Sequence, residues 1–220
     1  MGTGTFDELA FSILDSKDTT VSGLTLNSKA GDNVAKNTDG FDLSRNLRLT
    51  ISGCTVYNQD DCLAMQSSND TTFTGNTCSG GHGISIGSLG GDSVYKSDIV
   101  SGLTVKNNRI LDSINGIQIK TILGKNGAVM GASYTGNTLA NVKNAIVIHS
   151  DHSKEKGGYT GDASSLVEIT DITVSGLSGT ADKIYDIHVN PKVVSSWTFL
   201  GITVQGDSGS CCGEPSAVKC

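Results

Sequence analysis

A short motif of hydroxyl and β-branched residues with a central glycine recurs along this chain, and it constrains the fold more than any other feature. The glycines of five copies, Gly23, Gly53, Gly75, Gly102 and Gly136, are separated by 30, 22, 27 and 34 residues. Repeats of about 20 to 50 residues are typical of stacked arrays in which each unit buries its apolar face only against its neighbours. Each unit here offers two or three short strands and no helix, which predicts a right-handed parallel β-helix.

Composition agrees with an all-β solenoid. The chain has 28 glycines and only 2 prolines, and it is rich in serine, threonine and asparagine with valine and isoleucine between them. A β-propeller is the main competitor, but its blades need four antiparallel strands each, and the irregular spacing disfavours them. The 220 residues suit one domain spanning 1–220, with a cysteine-rich tail at about 206–220.

The net charge of the chain argues against some classes of binding partner. The chain carries 16 basic and 22 acidic residues, a net charge of −6, without a run of lysine or arginine. This argues against nucleic acid and membrane partners, although a local cationic cleft could still bind a polyanion. Residues 1–5 lack the charged and apolar regions of a signal peptide, and no apolar stretch is long enough to span a membrane.

The second strand of each unit supplies a clear apolar ladder. Leu63, Ile84, Ile117 and Ile146 lie in short alternating segments whose spacing follows the repeat. In a β-helix these side chains stack inside the coil, and the residues between them face outward. We therefore expect the outward residues of these strands to line a groove that accepts an extended chain.

Acidic residues and one histidine share a register before these strands. Asp60 follows Asp39 by 21 residues, and His82 follows Asp61 by 21 residues. One coil length between them stacks all four into one cluster, provided that the backbone bulges so that Asp60 and Asp61 face the same cleft. Crowded carboxylates raise the pKa of at least one member, which places an acid beside a base, as glycosidic bond cleavage requires. Alternation turns Asp42 away from this cleft.

Four dispersed motifs resemble those of a known family. They read Asn37-Thr38-Asp39, Gln59-Asp60-Asp61, Gly81-His82-Gly83 and, in part, Gln118-Ile119-Lys120. In this order and spacing they are similar to the motifs of the polygalacturonases, which are pectin-degrading glycoside hydrolases with a right-handed parallel β-helix fold. The resemblance implies a secreted, extracellular, inverting hydrolase of α-1,4-linked galacturonan that needs no cofactor and binds a polysaccharide.

The resemblance also assigns roles. It implies that Asp60 is the general acid, that Asp39 and Asp61 activate the water, and that His82 tunes the protonation of the acid. Lys120 would hold a substrate carboxylate. The further expected substrate-binding residues are Gln118, Asn37, Gln59 and His152.

The chain departs from the family pattern in three places. Gln118 stands where the family has arginine, so we expect weaker binding of bare galacturonate and more tolerance of substituted sugars. A family tyrosine is not visible after residues 146–148, where His149-Ser150-Asp151-His152 stands instead. The segment before Asn37 is short, which predicts that the N-terminal coils and cap are missing and that the chain self-associates through residues 1–30, where Phe6 and Leu9 are apolar.

Cysteine and histidine spacing suggests disulfides and no metal site. Cys62 and Cys78 flank a strand and a turn and are expected to pair, and Cys220 is expected to pair with Cys212, with Cys211 as the alternative. Cys54 is expected to be a buried free thiol. The segment 149–152 lacks a third well-placed ligand, so it predicts no metal centre.

Several alternatives for function remain at this stage. A xylogalacturonan-type or exo-acting hydrolase of the same family would keep these motifs. A pectate-lyase-type β-helix would need Ca²⁺ and a lysine or arginine base, and no such base accompanies Asp60 and Asp61 in the sequence. A non-catalytic β-helix that binds carbohydrate would keep the ladder and lose the acids, which are all present.

Overall fold

The computed structural model describes residues 11–220, so Phe6 and Leu9 lie outside the described residues. The described part contains two 3₁₀ helices, Lys29–Gly31 and Lys96–Asp98, and 22 β-strands. The strands are β1 Phe11–Leu14, β2 Lys17–Ser22, β3 Thr25–Asn27, β4 Phe41–Ser52, β5 Thr55–Tyr57, β6 Asp61–Thr74, β7 Thr77–Ser79, β8 Gly83–Leu89, β9 Ile99–Ser101, β10 Thr104–Lys106, β11 Arg109–Leu111, β12 Asn115–Ile122, β13 Asn126–Met130, β14 Ser133–Thr135, β15 Thr138–Ser153, β16 Gly158–Tyr159, β17 Leu166–Thr170, β18 Thr173–Ser175, β19 Ser178–His188, β20 Val194–Ser195, β21 Thr198–Leu200 and β22 Thr203–Cys212.

The strands form ladders in which each strand pairs in parallel with its equivalent one coil further on. The ladder called sheet A runs through β1, the start of β4, the start of β6, β8, β12, the end of β15, the end of β19 and the end of β22. A short ladder, sheet C, runs through β3, β5, β7, β11 and the start of β15. Among the described strands, only β15 and β16 pair antiparallel. Parallel coils of this kind are the predicted β-helix.

The predicted apolar ladder of sheet A is confirmed. Leu63, Ile84, Ile117 and Ile146 are partners in register, and each is at most 1% exposed. A second inward ladder lies two residues further along the same strands, through Met65, Ile86, Ile119 and Ile148. Burial of these side chains between coils is the main source of stability in such a fold.

The glycine repeat marks one corner of the coil, with one correction. Gly53, Gly75 and Gly136 follow equivalent strands and have φ near +60°, a left-handed conformation that favours glycine. In the coil between Gly75 and Gly136 this corner is occupied by Asn107, because β10 pairs with both β6 and β14. The sequence prediction that Gly102 belongs to this series is wrong, since Gly102 follows β9 at an earlier bend.

Buried asparagines hold the same corner in register. Asn76, Asn108 and Asn137 are each 1% exposed. The Oδ1 atom of Asn76 accepts the backbone N–H of Cys54 at 2.8 Å, and the Oδ1 atom of Asn108 accepts that of Asn76 at 2.8 Å. Asn137 does the same for Asn108 at 2.9 Å. This ladder satisfies buried backbone donors and fixes the height of each coil where the chain turns towards sheet C.

One predicted disulfide is confirmed and the other is corrected. Cys62 bonds to Cys78, with Cα atoms 5.8 Å apart. Cys220 bonds to Cys211 and not to Cys212, which is exposed and free. The reason is alternation along β22, because Cys211 lies opposite Ile187 in an inward ladder and Cys212 faces away. Cys54 is free and buried, as expected.

The first described strand exposes apolar side chains. Phe11 is 39% exposed and Leu14 is 50% exposed. Self-association through residues 1–30 stays a prediction, because nothing in the described residues tests it. Within residues 11–220, no helix is long and apolar enough to cross a membrane.

Candidate active site

The four predicted catalytic residues lie where the coils turn from sheet C into sheet A. Asp61 begins β6, Asp39 precedes β4 by two residues, and His82 directly precedes β8. The coils approach closely here, since a Cβ atom on Gly81 would lie 2.0 Å from the carbonyl oxygen of Asp60. The glycine beside His82 is therefore a requirement of packing, and the turn it permits places the acids and the histidine on one side.

The structure brings all four residues together around one backbone amide. The N–H of Asp61 lies 2.8 Å from Oδ1 of Asp60 and 3.1 Å from Oδ1 of Asp39. The Nδ1 atom of His82 lies 2.9 Å from the same Oδ1 of Asp60. The pairing of β6 with β8 shifts register between Asp61 and Leu63. The backbone is thus irregular at this point, where the sequence predicted a departure from regular strand alternation.

Asp61 is the most buried of the three acids and has two side-chain partners. Its side chain is 4% exposed. Oδ1 lies 2.5 Å from Oγ of Ser85, and Oδ2 lies 3.3 Å from Nζ of Lys120. Lys120, expected to hold a substrate carboxylate, thus lies beside the acids, and its contact with substrate stays a prediction. Ser85 was missed as a site residue, although its place beside Gln118 in the register of sheet A could have indicated it.

The electrostatics of the cluster separate the protonation states of its members. Burial, together with the neighbouring carboxylates of Asp60 and Asp61, raises the pKa of Asp39 to about 7. Burial also raises the pKa of Asp61, against the charge of Lys120. Burial acts to raise the pKa of Asp60 too, but the hydrogen bond and charge of His82 outweigh it, and the pKa of Asp60 is lowered. The same hydrogen bond raises the pKa of His82.

Gln118 lies next to Ser85 and is held by a tyrosine. Its Oε1 atom lies 3.0 Å from Oγ of Ser85, and its Nε2 atom donates to the hydroxyl oxygen of Tyr159 at 2.8 Å. The sequence has no tyrosine directly after residues 146–148, but the structure brings a later one to this region. Tyr159 is carried back beside His149 by the antiparallel β15–β16 hairpin, and the two rings stack with centroids 3.8 Å apart. Because this hairpin is antiparallel, the spacing of the parallel coils in the sequence does not predict where Tyr159 lies.

The other predicted substrate-binding residues lie in different surroundings. The side-chain amide of Gln59 is held by Ser28, Asp32 and Thr38, so it braces the loop before Asp39. Asn37 is exposed at the end of the same loop. His152 is half-buried, and burial and then the charge of Lys120 lower its pKa.

Asp42 corrects one further expectation. It lies in the outward ladder of sheet A, where it pairs with Ala64, and Ala64 pairs in turn with Ser85. Burial raises the pKa of Asp42, and the charge of Asp61 adds to this effect. Asp42 therefore faces the acid cluster. The prediction counted strand alternation from Asp39, but Asp39 lies in the bend before β4, and alternation begins only at Phe41, which faces inward.

Comparisons with known proteins identify the relatives of this chain. The family model of the glycosyl hydrolases family 28 matches residues 5–220. An endo-polygalacturonase from Sclerotinia sclerotiorum is 42% identical over 213 residues, which are 96% of this chain and 55% of the relative. Endopolygalacturonase 1 from Colletotrichum lindemuthianum is 40% identical over 212 residues, which are 94% of this chain and 57% of the relative. The chain thus spans little more than half the length of these curated relatives.

Solved structures share the fold. The endo-xylogalacturonan hydrolase from Aspergillus tubingensis has a TM-score of 0.71 and 30% identity, over 91% of this chain and 57% of that one. Endopolygalacturonase I from Stereum purpureum, complexed with two galacturonates, has a TM-score of 0.69 and 28% identity, over 92% of this chain and 64% of that one. The predicted right-handed parallel β-helix is confirmed. This chain belongs to the glycosyl hydrolases family 28.

Proposed function

We propose that this chain hydrolyses α-1,4-galacturonosyl linkages of polygalacturonan with inversion. The observation that carries the proposal is the group of three carboxylates around the N–H of Asp61, one of them bonded to His82 and another to Lys120. Cleavage with inversion needs one carboxyl group that gives a proton to the leaving oxygen and another that takes one from water. The relatives named as endopolygalacturonases support this substrate.

The Asp60–His82 pair supplies the proton. Its geometry, with Nδ1 and Oδ1 2.9 Å apart, holds one proton between the two groups. The pKa of His82 is raised and that of Asp60 is lowered, so the proton rests on the imidazole in the free site. Transfer along this hydrogen bond leaves a neutral imidazole and a protonated Asp60, which then donates to the glycosidic oxygen.

Asp39 and Asp61 activate the water together. Burial raises the pKa of both carboxyl groups, and the neighbouring charge of Asp61 adds to the shift of Asp39. In the proposed mechanism one of the two is ionised while the other keeps its proton. The ionised member takes a proton from water, and the other orients the water oxygen by a hydrogen bond.

Lys120 gives the cleft its preference for uronate. Its ammonium group is 3.3 Å from Asp61 and its side chain is 18% exposed, which leaves it able to meet a sugar carboxylate beside the reacting bond. A single lysine in an acidic protein attracts an anionic group only at its own position and does not make the whole surface bind anions. The sequence argued against a lyase because no lysine or arginine base accompanied the acids. Lys120 does accompany them in the structure, so that argument fails. The lyase is instead excluded because the chain belongs to a hydrolase family. We also propose that the chain is secreted, because its proposed substrate, pectin, lies outside cells.

The three carboxylates are individually required. We expect Asp39→Asn, Asp60→Asn and Asp61→Asn each to lower kcat on polygalacturonate by roughly 10²- to 10⁴-fold, because each substitution removes an acid or base at constant shape. Asp171→Asn, at an exposed turn with φ of +56°, is the matched control and should keep full activity. Reducing-sugar release measures the rates, and circular dichroism checks the fold. Undiminished activity of Asp60→Asn would remove its role as acid.

The pH profile tests the Asp60–His82 pair. Activity is lost at high pH when the pair gives up its proton, and His82 delays this loss because its pKa is raised. In His82→Asn the proton can rest only on Asp60, a carboxyl group with a lower pKa than imidazole. We expect the alkaline limb of log kcat/KM to move to lower pH while the acid limb stays in place. An alkaline limb that does not move would show that His82 holds no catalytic proton.

A substituted galacturonan is the second candidate substrate. Gln118 is 6% exposed and neutral, and it fills the position beside Ser85 where the family pattern has arginine. A neutral amide binds a carboxylate about half as strongly as a guanidinium does. The likeness to a xylogalacturonan hydrolase supports this candidate at the level of the fold.

Replacement of Gln118 separates the two substrates. We expect Gln118→Arg to raise kcat/KM on bare polygalacturonate about tenfold, since a charge-assisted pair is worth ~1.4 kcal/mol more than a neutral one. The ratio of rates on substituted to bare polymer should fall. Gln205→Arg, which adds the same charge at an exposed position of β22, is the control and should change neither value. An equal gain on both polymers would show that Gln118 does not set the preference.

A further inference from the structure

A second cluster of histidine and aspartate lies on sheet A, next to the proposed active site. His149 and His188 are partners in register on β15 and β19, and Asp151 follows His149 by two residues on the same strand. Lys120 pairs with His149 in the neighbouring coil. The mechanism above uses none of the three clustered residues.

The three side chains offer ligand atoms to one point. Nδ1 of His149 lies 2.8 Å from Oδ1 of Asp151, and Nδ1 of His188 lies 3.8 Å from Oδ2 of Asp151. One ligand atom from each residue can be chosen so that all lie within 4.8 Å of one another. Ligands of a tetrahedral Zn²⁺ at their usual bond lengths are about 3.3 Å apart. Each imidazole of the cluster lies within about 0.5 Å of that separation from one of the two oxygens of Asp151.

The surroundings of His149 match those of a metal ligand. Its other ring nitrogen, Nε2, lies 3.1 Å from Oδ1 of Asp186. Histidines that bind metal commonly donate the N–H of their second nitrogen to a carboxylate, which orients the ring and makes the first nitrogen a better ligand. Tyr159 covers one face of the ring with centroids 3.8 Å apart. Both ring edges are thus fixed, one towards Asp186 and one towards Asp151.

We propose that His149, Asp151 and His188 form a binding site for a divalent transition-metal ion such as Zn²⁺. The ion replaces the proton that His149 shares with Asp151, so binding releases that proton to solvent. The side chain of Asp151 is 1% exposed and that of His188 is 31% exposed, which gives the site a buried anion and an open side for entry and for a water ligand. The segment 149–152 lacked a third ligand in sequence, and His188 supplies it from the next coil.

Zinc titration of the whole chain tests the site. After treatment with chelator and its removal, the chain is titrated with ZnCl₂ by isothermal calorimetry, and bound zinc is counted by mass spectrometry. We expect one zinc ion per chain, and His188→Asn should weaken binding by about tenfold or more, since even loss of a residue that supports a ligand typically costs that much. The side chain of His188 is 31% exposed, more than those of His149 and Asp151, so His188→Asn disturbs the buried residues of the cluster least. His152→Asn, which changes a neighbouring histidine outside the cluster, is the control and should bind as the parent does.

Two further results separate this site from the catalytic acids. Asp60, Asp61 and His82 also lie close enough to hold an ion, so His82→Asn is titrated in parallel and is expected to bind zinc normally. With Co²⁺ as the probe, intense visible absorption of a tetrahedral centre should appear in the parent and disappear in His188→Asn. Equal zinc affinity of the parent and His188→Asn, or loss of binding only in His82→Asn, would overturn the proposal. Absence of stoichiometric zinc binding would do the same.

Discussion

The parallel hydrogen-bonded register between successive coils is the constraint on which the rest of the structure depends. Strands of sheet A pair in parallel with the equivalent strand one coil away, so residues far apart in sequence become neighbours in space, such as Leu63 and Ile84 or Ile146 and Tyr185. The inward ladders of isoleucine and leucine lock this register, because a shift by one residue would turn them to solvent. The asparagines at the corner set the same height by satisfying buried donors.

The buried acid cluster is stable only because the surrounding coils hold compensating groups beside it. Burial of neighbouring carboxylates is unfavourable unless hydrogen bonds and opposite charges compensate it. Here the backbone N–H of Asp61, the hydroxyl group of Ser85 and the ammonium group of Lys120 provide that compensation. Burial and the neighbouring carboxylates still raise the pKa of Asp39 to about 7, and in the proposed mechanism this keeps a protonated group beside an ionised one.

Sequence reasoning was most successful where side chains follow the coil period. The ladder through Leu63 and Ile84 and the cluster of three aspartates with His82 could be read from spacing alone, since parallel register converts spacing directly into proximity. It failed where the backbone leaves that period. Tyr159 returns by a hairpin, Gly102 belongs to an extra bend, and Asp42 was counted across a turn. The choice of Cys211 over Cys212 depended on which face of β22 is inward, which the glycine-rich tail does not reveal.

The proposed mechanism divides the three carboxylates between one acid, Asp60, and a water-activating pair, Asp39 and Asp61. The most direct measurement is the anomeric configuration of the first product released from polygalacturonate, followed by ¹H NMR before mutarotation. The account predicts that the new reducing end appears first in the β configuration, opposite to the α linkage that was cleaved. Initial release of the α anomer would mean that a carboxylate attacks the sugar directly, and it would contradict the roles assigned to Asp39, Asp60 and Asp61.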